Sequence, residues 1–263
     1  MKDSVRIGFI GYGNMAQAIA QGLIKTQSVR PEDIYCCAKN YEKLCINAQR
    51  DGINACQNPE QTVRNSDVVV VAVKPYLVRE VCQPISQLLR EKIVVSVAAG
   101  CPFESYEEFL VPGTHHISTI PNTPVRVGEG IFVCENRHSL TEEDLEIFRR
   151  IFSPIAMIQL VEPKLLDIAG TISGCGPAFV SLFLEALGDA GVLHGLPRAL
   201  AYQLAGQMVA GTGKLMVQSQ AHPGVMKDAV CSPGGTTIVG VAALERGGLR
   251  SAVIEAVNAV QNK

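Results

Sequence analysis

A glycine-spaced junction between an apolar strand and a helix opens the chain, a train of short apolar runs leading into helical patterns follows it, and the C-terminal part is poor in charge. Together these predict an α/β fold: an N-terminal Rossmann dinucleotide-binding domain with a C-terminal all-helical dimerisation domain. The change of texture at Glu162-Pro163 places the boundary, giving residues 1–162 and 163–263.

The first element carries the most information. Val5 to Ile10 reads as a strand, and Met15 to Ile24 as a helix with Met15, Ala18, Ile19 and Leu23 on one face. Between them Gly11, Gly13 and Ala16 spell G-x-G-x-x-A. Gly11 permits the tight turn, Gly13 leaves room for a pyrophosphate, and Ala16 is small enough for the helix to pack on the strand. The helix then aims its unpaired N–H groups at the phosphates.

Asp33 to Cys37 is the second strand, followed by Ala38-Lys39-Asn40. An NAD-selective site places an acidic side chain here to grip the ribose 2′-hydroxyl, and none is present. Lys39 can meet a 2′-phosphate instead, so NADP is the expected cofactor, with NAD possible. Tyr41 to Arg50 is a helix, Ile53 to Cys56 a strand and Pro59 to Asn65 a helical turn. Asp67 to Val73 is apolar without alternation, as befits a parallel strand covered on both faces. It ends in Lys74-Pro75, with a helix expected over Tyr76 to Arg90. Ile93 to Val97 is the next strand and ends in Ala98-Ala99-Gly100. Small residues at these two strand ends let a nicotinamide riboside lie close to backbone. Lys74 itself reads as a structural or solvated cap.

Thr114 to Ile120 is a strand entering the turn Pro121-Asn122-Thr123-Pro124, and one of His115 and His116 reads as a core histidine. Ile131 to Cys134 is strand-like, Ser139 to Glu142 reads as a capping box ahead of Leu145, Phe148 and Phe152, and Ile155 to Val161 closes the domain.

From Lys164 to Gln218 the charged residues are only Lys164, Asp167, Glu185, Asp189, Arg198 and Lys214. Helices this poor in charge cannot show a face to water, and intertwined dimerisation accounts for them. Ser173 to Ala178 is expected to break one helix and begin another. Asp228 to Thr237 ends in Pro-Gly-Gly-Thr-Thr ahead of a helix, a nest of backbone N–H groups flanked by hydroxyls that suits a small anion such as a carboxylate.

Composition sets the surroundings. The 263 residues suit one large domain or two modest ones, and 47% hydrophobic against 18% charged residues calls for extensive burial. A net charge of −2 offers no basic footprint for nucleic acid and no polybasic membrane patch. Nine cysteines, odd in number and without C-x-x-C spacing, suit a reducing cytoplasm and form neither a disulfide set nor a metal site. Ile168 to Leu184 lacks charge, but Gly170, Ser173, Gly174, Gly176 and Pro177 argue against a membrane span, and no signal-peptide pattern precedes the first strand.

Two C-terminal stretches, S-G-C-G-P-A-F (173–179) and D-A-V-C-S-P-G-G-T-T (228–237), resemble those of the pyrroline-5-carboxylate reductases. The opening I-G-F-I-G-Y-G-N-M-A, A-V-K-P (72–75), V-A-A-G (97–100) and I-P-N-T-P (120–124) resemble that family in the same order. The resemblance implies reduction of 1-pyrroline-5-carboxylate to L-proline by NAD(P)H, the final step of proline biosynthesis, in a cytoplasmic homodimer that assembles into a larger ring. It implies that Ile10, Gly11, Tyr12, Gly13, Asn14 and Met15 hold the pyrophosphate. Ala38 and Lys39 then lie near the adenosine ribose with Asn58 close to the adenosine, while Ala72, Val73, Lys74 and Pro75 with Val97 and Ala99 line the nicotinamide side. Ala229 stands where some members carry an asparagine.

The substrate so implied is a cyclic imine bearing a carboxylate. The nest at Ser232, Gly234, Gly235, Thr236 and Thr237 can pin the carboxylate, and the Thr237 hydroxyl can orient the imine nitrogen or relay a proton from water. A β-hydroxyacid dehydrogenase also pairs the two domain types, but it relies on a catalytic lysine in the helical half, and Lys214 lacks the surrounding motif. A nucleotide-sensing relative without activity would have no need of the intact nest.

Overall fold

The structure is a computed structural model and describes residues 5–263. It divides into two compact units, the first ending at Cys175 and the second covering Gly176–Lys263.

The first unit is built on one sheet. Its strands are β1 (Ile7–Ile10), β2 (Ile34–Cys37), β3 (Asn54–Ala55), β4 (Val68–Val71), β5 (Ile93–Ser96), β6 (His115–Pro121), β7 (Gly130–Glu135) and β8 (Ala156–Val161). They lie in the order β3-β2-β1-β4-β5-β6-β7-β8. The first six are parallel to one another, with Ile7 of β1 opposite Ile34 on one side and Val68 on the other. The chain reverses between β6 and β7, which pair antiparallel, and β8 runs parallel to β7. Asn122 holds that reversal: its Oδ1 accepts from Ile131 N–H at 2.9 Å and its Nδ2 donates to the Ser173 carbonyl at 3.0 Å.

The helices of this unit are α1 (Asn14–Lys25), α2 (Tyr41–Asp51), α3 (Pro59–Arg64), α4 (Val78–Cys82), α5 (Ser86–Leu89), α6 (Phe103–Glu107), α7 (Glu142–Phe152) and α8 (Leu166–Gly170). They cover both faces of the sheet, and β4 shows why its sequence is unbroken valine. Val68 and Val70 join Ile19, Leu23, Phe148 and Phe152 in the core on one face. Val69 and Val71 join Val78, Cys82, Leu89 and Tyr106 on the other. Successive strand residues alternate faces, so a strand covered twice must be apolar throughout. Each fully buried valine contributes roughly 1.5–3 kcal/mol over an exposed one.

Three local expectations are corrected. The helix expected over 76–90 is a series of short turns, α4 and α5 flanking a 3₁₀ turn over Gln83–Ile85. Pro84 lacks an N–H and cannot sit in a regular helix interior. The capping box of α7 lies two residues later than expected: Thr141 Oγ1 accepts from Asp144 N–H, and Asp144 accepts from Thr141 N–H in return. Ser139 is occupied elsewhere, its hydroxyl donating to the Thr114 carbonyl at 2.7 Å and accepting from His116 N–H at 2.9 Å. Finally, residues 173–178 do not break the helix. A π-helical turn over Thr171–Cys175 carries the chain from α8 into the next helix without a loop, and residues 163–175 fold with the sheet unit.

The second unit holds α9 (Gly176–Leu193), α10 (Arg198–Ser219), α11 (Pro223–Ala229), α12 (Thr236–Arg246) and α13 (Leu249–Gln261). Gly188 lets α9 meet α10, since a Cβ there would fall 2.2 Å from the Tyr202 ring. In the single chain this unit buries little. Leu182 is 69% exposed, Leu215 58%, Val217 74% and Val239 64%, a set of large apolar side chains bare to water. The stretch Pro163–Leu193 is long and apolar enough to cross a membrane by length and composition.

Candidate active site

The strand-to-helix turn is shaped by what surrounds its glycines. Gly11 has φ +93°, and a Cβ there would lie 2.7 Å from the Ala72 carbonyl oxygen, so the turn closes on the end of β4 only with glycine. Its N–H donates to the Cys37 carbonyl at 2.9 Å, and Ala72 N–H donates to the Ile10 carbonyl at 2.8 Å. Through Ile10 and Gly11 the turn thus ties together the ends of β1, β2 and β4. Gly13 has a different reason: a Cβ would meet nothing within 4 Å. Its missing side chain leaves space above the turn, and as N-cap of α1 it provides no side-chain cap for the first helical N–H groups. An open concavity at an uncapped helix start fits a dinucleotide pyrophosphate. Asn14 is exposed and Met15 half-buried beside it, while Ala16 and Ile10 are buried in packing. Tyr12 turns inward and is only 5% exposed.

Around this turn the other strand ends converge at the same edge of the sheet. Ala38 is half-buried after β2, and Lys39 is exposed. Asn58 caps α3, its Oδ1 accepting from Gln61 N–H at 2.8 Å. After β4, Ala72 and Val73 are half-buried, whereas Lys74 and Pro75 are exposed and open a 3₁₀ turn. After β5, Val97 is half-buried with its N–H on the Val71 carbonyl at 3.0 Å, and Ala99 is exposed.

The loop after β5 is held by polar groups that sequence reasoning did not single out. Ser96 Oγ accepts from the buried Tyr106 hydroxyl at 2.7 Å, and the Ser96 carbonyl accepts from Thr119 Oγ1 at 2.7 Å. Ser118 Oγ donates to the Cys101 carbonyl at 2.9 Å, and Glu135 Oε2 accepts from Phe103 N–H at 2.8 Å. Burial pushes the Glu135 carboxyl above its ordinary pKa, although the Phe103 N–H bond opposes this. Polar residues inside otherwise apolar strands were the available signal. His116 is buried as expected, with Nε2 at 2.6 Å from Glu107 Oε1 and its ring stacked on Phe103. Burial holds its pKa below the ordinary imidazole value, Glu107 pulling the other way.

In the second unit the turn before α12 has the expected form. Gly234 sits at φ +71°, Gly235 N–H donates to the Ser232 carbonyl at 3.0 Å, and Gly235 is the N-cap of α12 with no side-chain cap. The first N–H groups of that helix therefore have no intrahelical acceptor and no capping side chain. A Cβ on Gly235 would fall 2.5 Å from Ser232 Oγ, so the glycine lets the serine hydroxyl fold over the turn. Ser232, Thr236 and Thr237 are exposed. Among the described residues, no cluster of His, Cys, Asp and Glu is arranged to hold a metal ion.

A dinucleotide-binding sheet followed by a helical unit with bare apolar faces defines an oxidoreductase of the oligomeric Rossmann class, and comparisons with known proteins agree. Residues 6–100 match the family "NADP oxidoreductase coenzyme F420-dependent", and residues 163–263 match "Pyrroline-5-carboxylate reductase dimerisation". The chain is 40% identical to pyrroline-5-carboxylate reductase of Treponema pallidum over 97% of its length and 98% of that protein. It is 38% identical to that of Escherichia coli, covering 98% of this chain and 96% of the other. A solved structure of Plasmodium falciparum pyrroline carboxylate reductase with NADP bound superposes with a TM-score of 0.87 at 32% identity, covering 99% of this chain and 96% of that one. The chain belongs to the pyrroline-5-carboxylate reductase family.

Proposed function

We propose that this protein reduces 1-pyrroline-5-carboxylate to L-proline, the last step of proline biosynthesis, with NADPH as the preferred reductant and NADH as an alternative. The reaction joins a hydride to the imine carbon and a proton to the ring nitrogen, leaving the oxidised dinucleotide. NADPH supplies the hydride. The turn of Gly11, Tyr12 and Gly13 with Asn14 and Met15 holds its pyrophosphate, and Lys39 beside Ala38 meets the 2′-phosphate. Asn58 lies toward the adenosine. Ala72 to Pro75 with Val97 and Ala99 flank the nicotinamide.

The observation that carries the substrate reading is the uncapped start of α12 behind Gly234 and Gly235. Its free N–H groups and positive dipole end suit a carboxylate, the one fixed negative charge on the substrate. Thr237 Oγ1 hydrogen-bonds the ring nitrogen or relays a proton from water; a threonine hydroxyl is too weak an acid to donate alone. The protein acts in the cytoplasm, a reducing compartment that suits nine cysteines without a disulfide pattern. The apolar faces of α9, α10 and α12 pair with a second copy, and the dimers assemble into a ring.

The test is Gly235→Val. It displaces the Ser232 hydroxyl and crowds the turn, so the KM for pyrroline-5-carboxylate rises while the Kd for NADPH is unchanged. Normal binding of proline by this variant would remove the turn as the carboxylate site.

A further inference from the structure

The side chain of the residue between the two fingerprint glycines turns into the protein, and its surroundings give it a task of its own. The Tyr12 hydroxyl donates to Asp51 Oδ2 at 2.9 Å, at the far end of α2. Arg50 grips the same carboxylate through Nε and Nη2, both at 2.8 Å, and Gln21 Nε2 adds a bond to Oδ1 at 3.2 Å. Arg50 Nη2 also donates to Gln17 Oε1 at 3.1 Å, and Gln17 Nε2 donates to the Tyr12 carbonyl at 3.1 Å. The bonds close into a ring: Tyr12 hydroxyl, Asp51, Arg50, Gln17, Tyr12 carbonyl. The Asp51 side chain is 6% exposed although its residue ends a surface helix.

We infer that this ring sets the direction of the Gly13 N–H, making Tyr12, Gln17 and Asp51 positioning residues for the cofactor pyrophosphate. The peptide unit joining Tyr12 to Gly13 is planar and trans, so its carbonyl and its N–H point in opposite directions. Gln17 pins the carbonyl, which turns the Gly13 N–H outward, and that N–H has no backbone acceptor among the described residues. The phenol fixes the same residue from its other end, so the Tyr12 backbone cannot rotate without breaking two bonds. An amide already aimed at its ligand avoids the ordering cost of binding. The charge state is stable as well. Burial resists ionisation of Asp51, but bonds from Arg50, Tyr12 and Gln21 outweigh it and hold its pKa below the ordinary carboxylate value. Burial and the Asp51 charge together keep the Tyr12 phenol protonated. The sequence offers no pattern for this pairing, because Tyr12 and Asp51 are brought together only by the packing of α2 beside α1.

The inference rests on the reading that this turn holds the pyrophosphate, and the experiment separates the two. Binding of NADPH and of adenosine 2′-monophosphate, which has no pyrophosphate, is measured by calorimetry on the full chain carrying Tyr12→Phe, Asp51→Asn or both. Each single variant should weaken NADPH about tenfold, the loss of one directed hydrogen bond. The double variant should be no weaker than either single one, since a ring once opened loses its effect. Adenosine 2′-monophosphate should bind all of them as the parent does, because the ring acts only on the pyrophosphate end of the cofactor. Should the Asp51 variant fail to fold, Gln17→Leu opens the ring from its half-exposed side and carries the same expectation. NADPH affinity within twofold of the parent would overturn the inference, as would equal weakening of both ligands. Gly13→Glu tests the underlying reading: its side chain enters open space and sets a carboxylate against the phosphates. If Gly13→Glu binds NADPH normally, the turn is not the pyrophosphate site. If it abolishes binding while Tyr12→Phe binds as the parent, only the ring has no role.

Discussion

Replacing Thr237 by valine separates catalysis from folding more cleanly than any other change at the proposed substrate turn. Thr237 is exposed on the first turn of α12, and its hydroxyl has no intrachain hydrogen bond among the described residues. Valine keeps the branched shape and has nearly the same helix propensity. Folding stability should therefore change by less than about 0.5 kcal/mol, the range of ordinary surface substitutions. Catalysis should respond differently. If the hydroxyl hydrogen-bonds the ring nitrogen in the transition state, its loss costs about 1–3 kcal/mol, or roughly ten- to a hundred-fold in kcat/KM. The assay is NADPH oxidation followed by ultraviolet absorbance at varied pyrroline-5-carboxylate, with the melting temperature measured on the same sample. The KM for NADPH serves as an internal control and should not move. A variant that reduces the imine as fast as the parent would remove Thr237 from the mechanism. A fall in rate matched by a fall in melting temperature would assign the effect to folding.

Three other expectations follow from different parts of the molecule. Lys39→Glu places a carboxylate beside the expected 2′-phosphate, and should raise the KM for NADPH at least tenfold while sparing NADH; equal effects on both would make the lysine a bystander. His116 has a folded pKa below its ordinary value of 6.5. The unfolded state thus takes up the proton first, and the contribution to stability, complete above 6.5, is lost as pH falls through that value toward the folded pKa. Protonation would also leave the buried Nδ1, which has no partner, as an unpaired donor. His116→Gln retains an N–H for Glu107 without titrating, so its melting temperature should fall less than the parent's between neutral and mildly acidic pH; parallel curves would refute this. Sedimentation of the intact protein should show at least a dimer, and a fully active monomer at micromolar concentration would show that the bare faces of α9, α10 and α12 need no partner.

The parts of this fold that were legible in the sequence are those where one local constraint decides the outcome. Gly11 and Gly13 announce the nucleotide turn because a side chain is excluded at one and unwanted at the other. The four valines of β4 announce a strand covered on both faces. The charge-poor run after Lys164 announces the large apolar side chains, Leu182, Leu215 and Val217 among them, that the single chain leaves bare. What was not legible depended on competition between distant residues. Ser139 has the chemistry of a helix cap but is drawn to Thr114 and His116 in the neighbouring strand, leaving the cap to Thr141. The reversal of β7 is fixed by Asn122 reaching both Ile131 and Ser173, a pairing that no periodicity encodes. At the candidate site the fingerprint glycines and the residues after β2, β4 and β5 were singled out by motif, and the structure sets them at one edge of the sheet. The inward Tyr12 and the buried scaffold of Ser96, Thr119 and Glu135 became visible only when the strands were placed side by side.

The most direct measurement of the central claim is the product formed by the purified chain from NADPH and 1-pyrroline-5-carboxylate, compared with a panel of keto, hydroxy and imino acids under the same conditions. L-proline should appear in step with NADPH oxidation, and the cyclic imine should be reduced far faster than any open-chain keto acid. No oxidation of NADPH with 1-pyrroline-5-carboxylate, or faster turnover of a keto acid, would contradict the account.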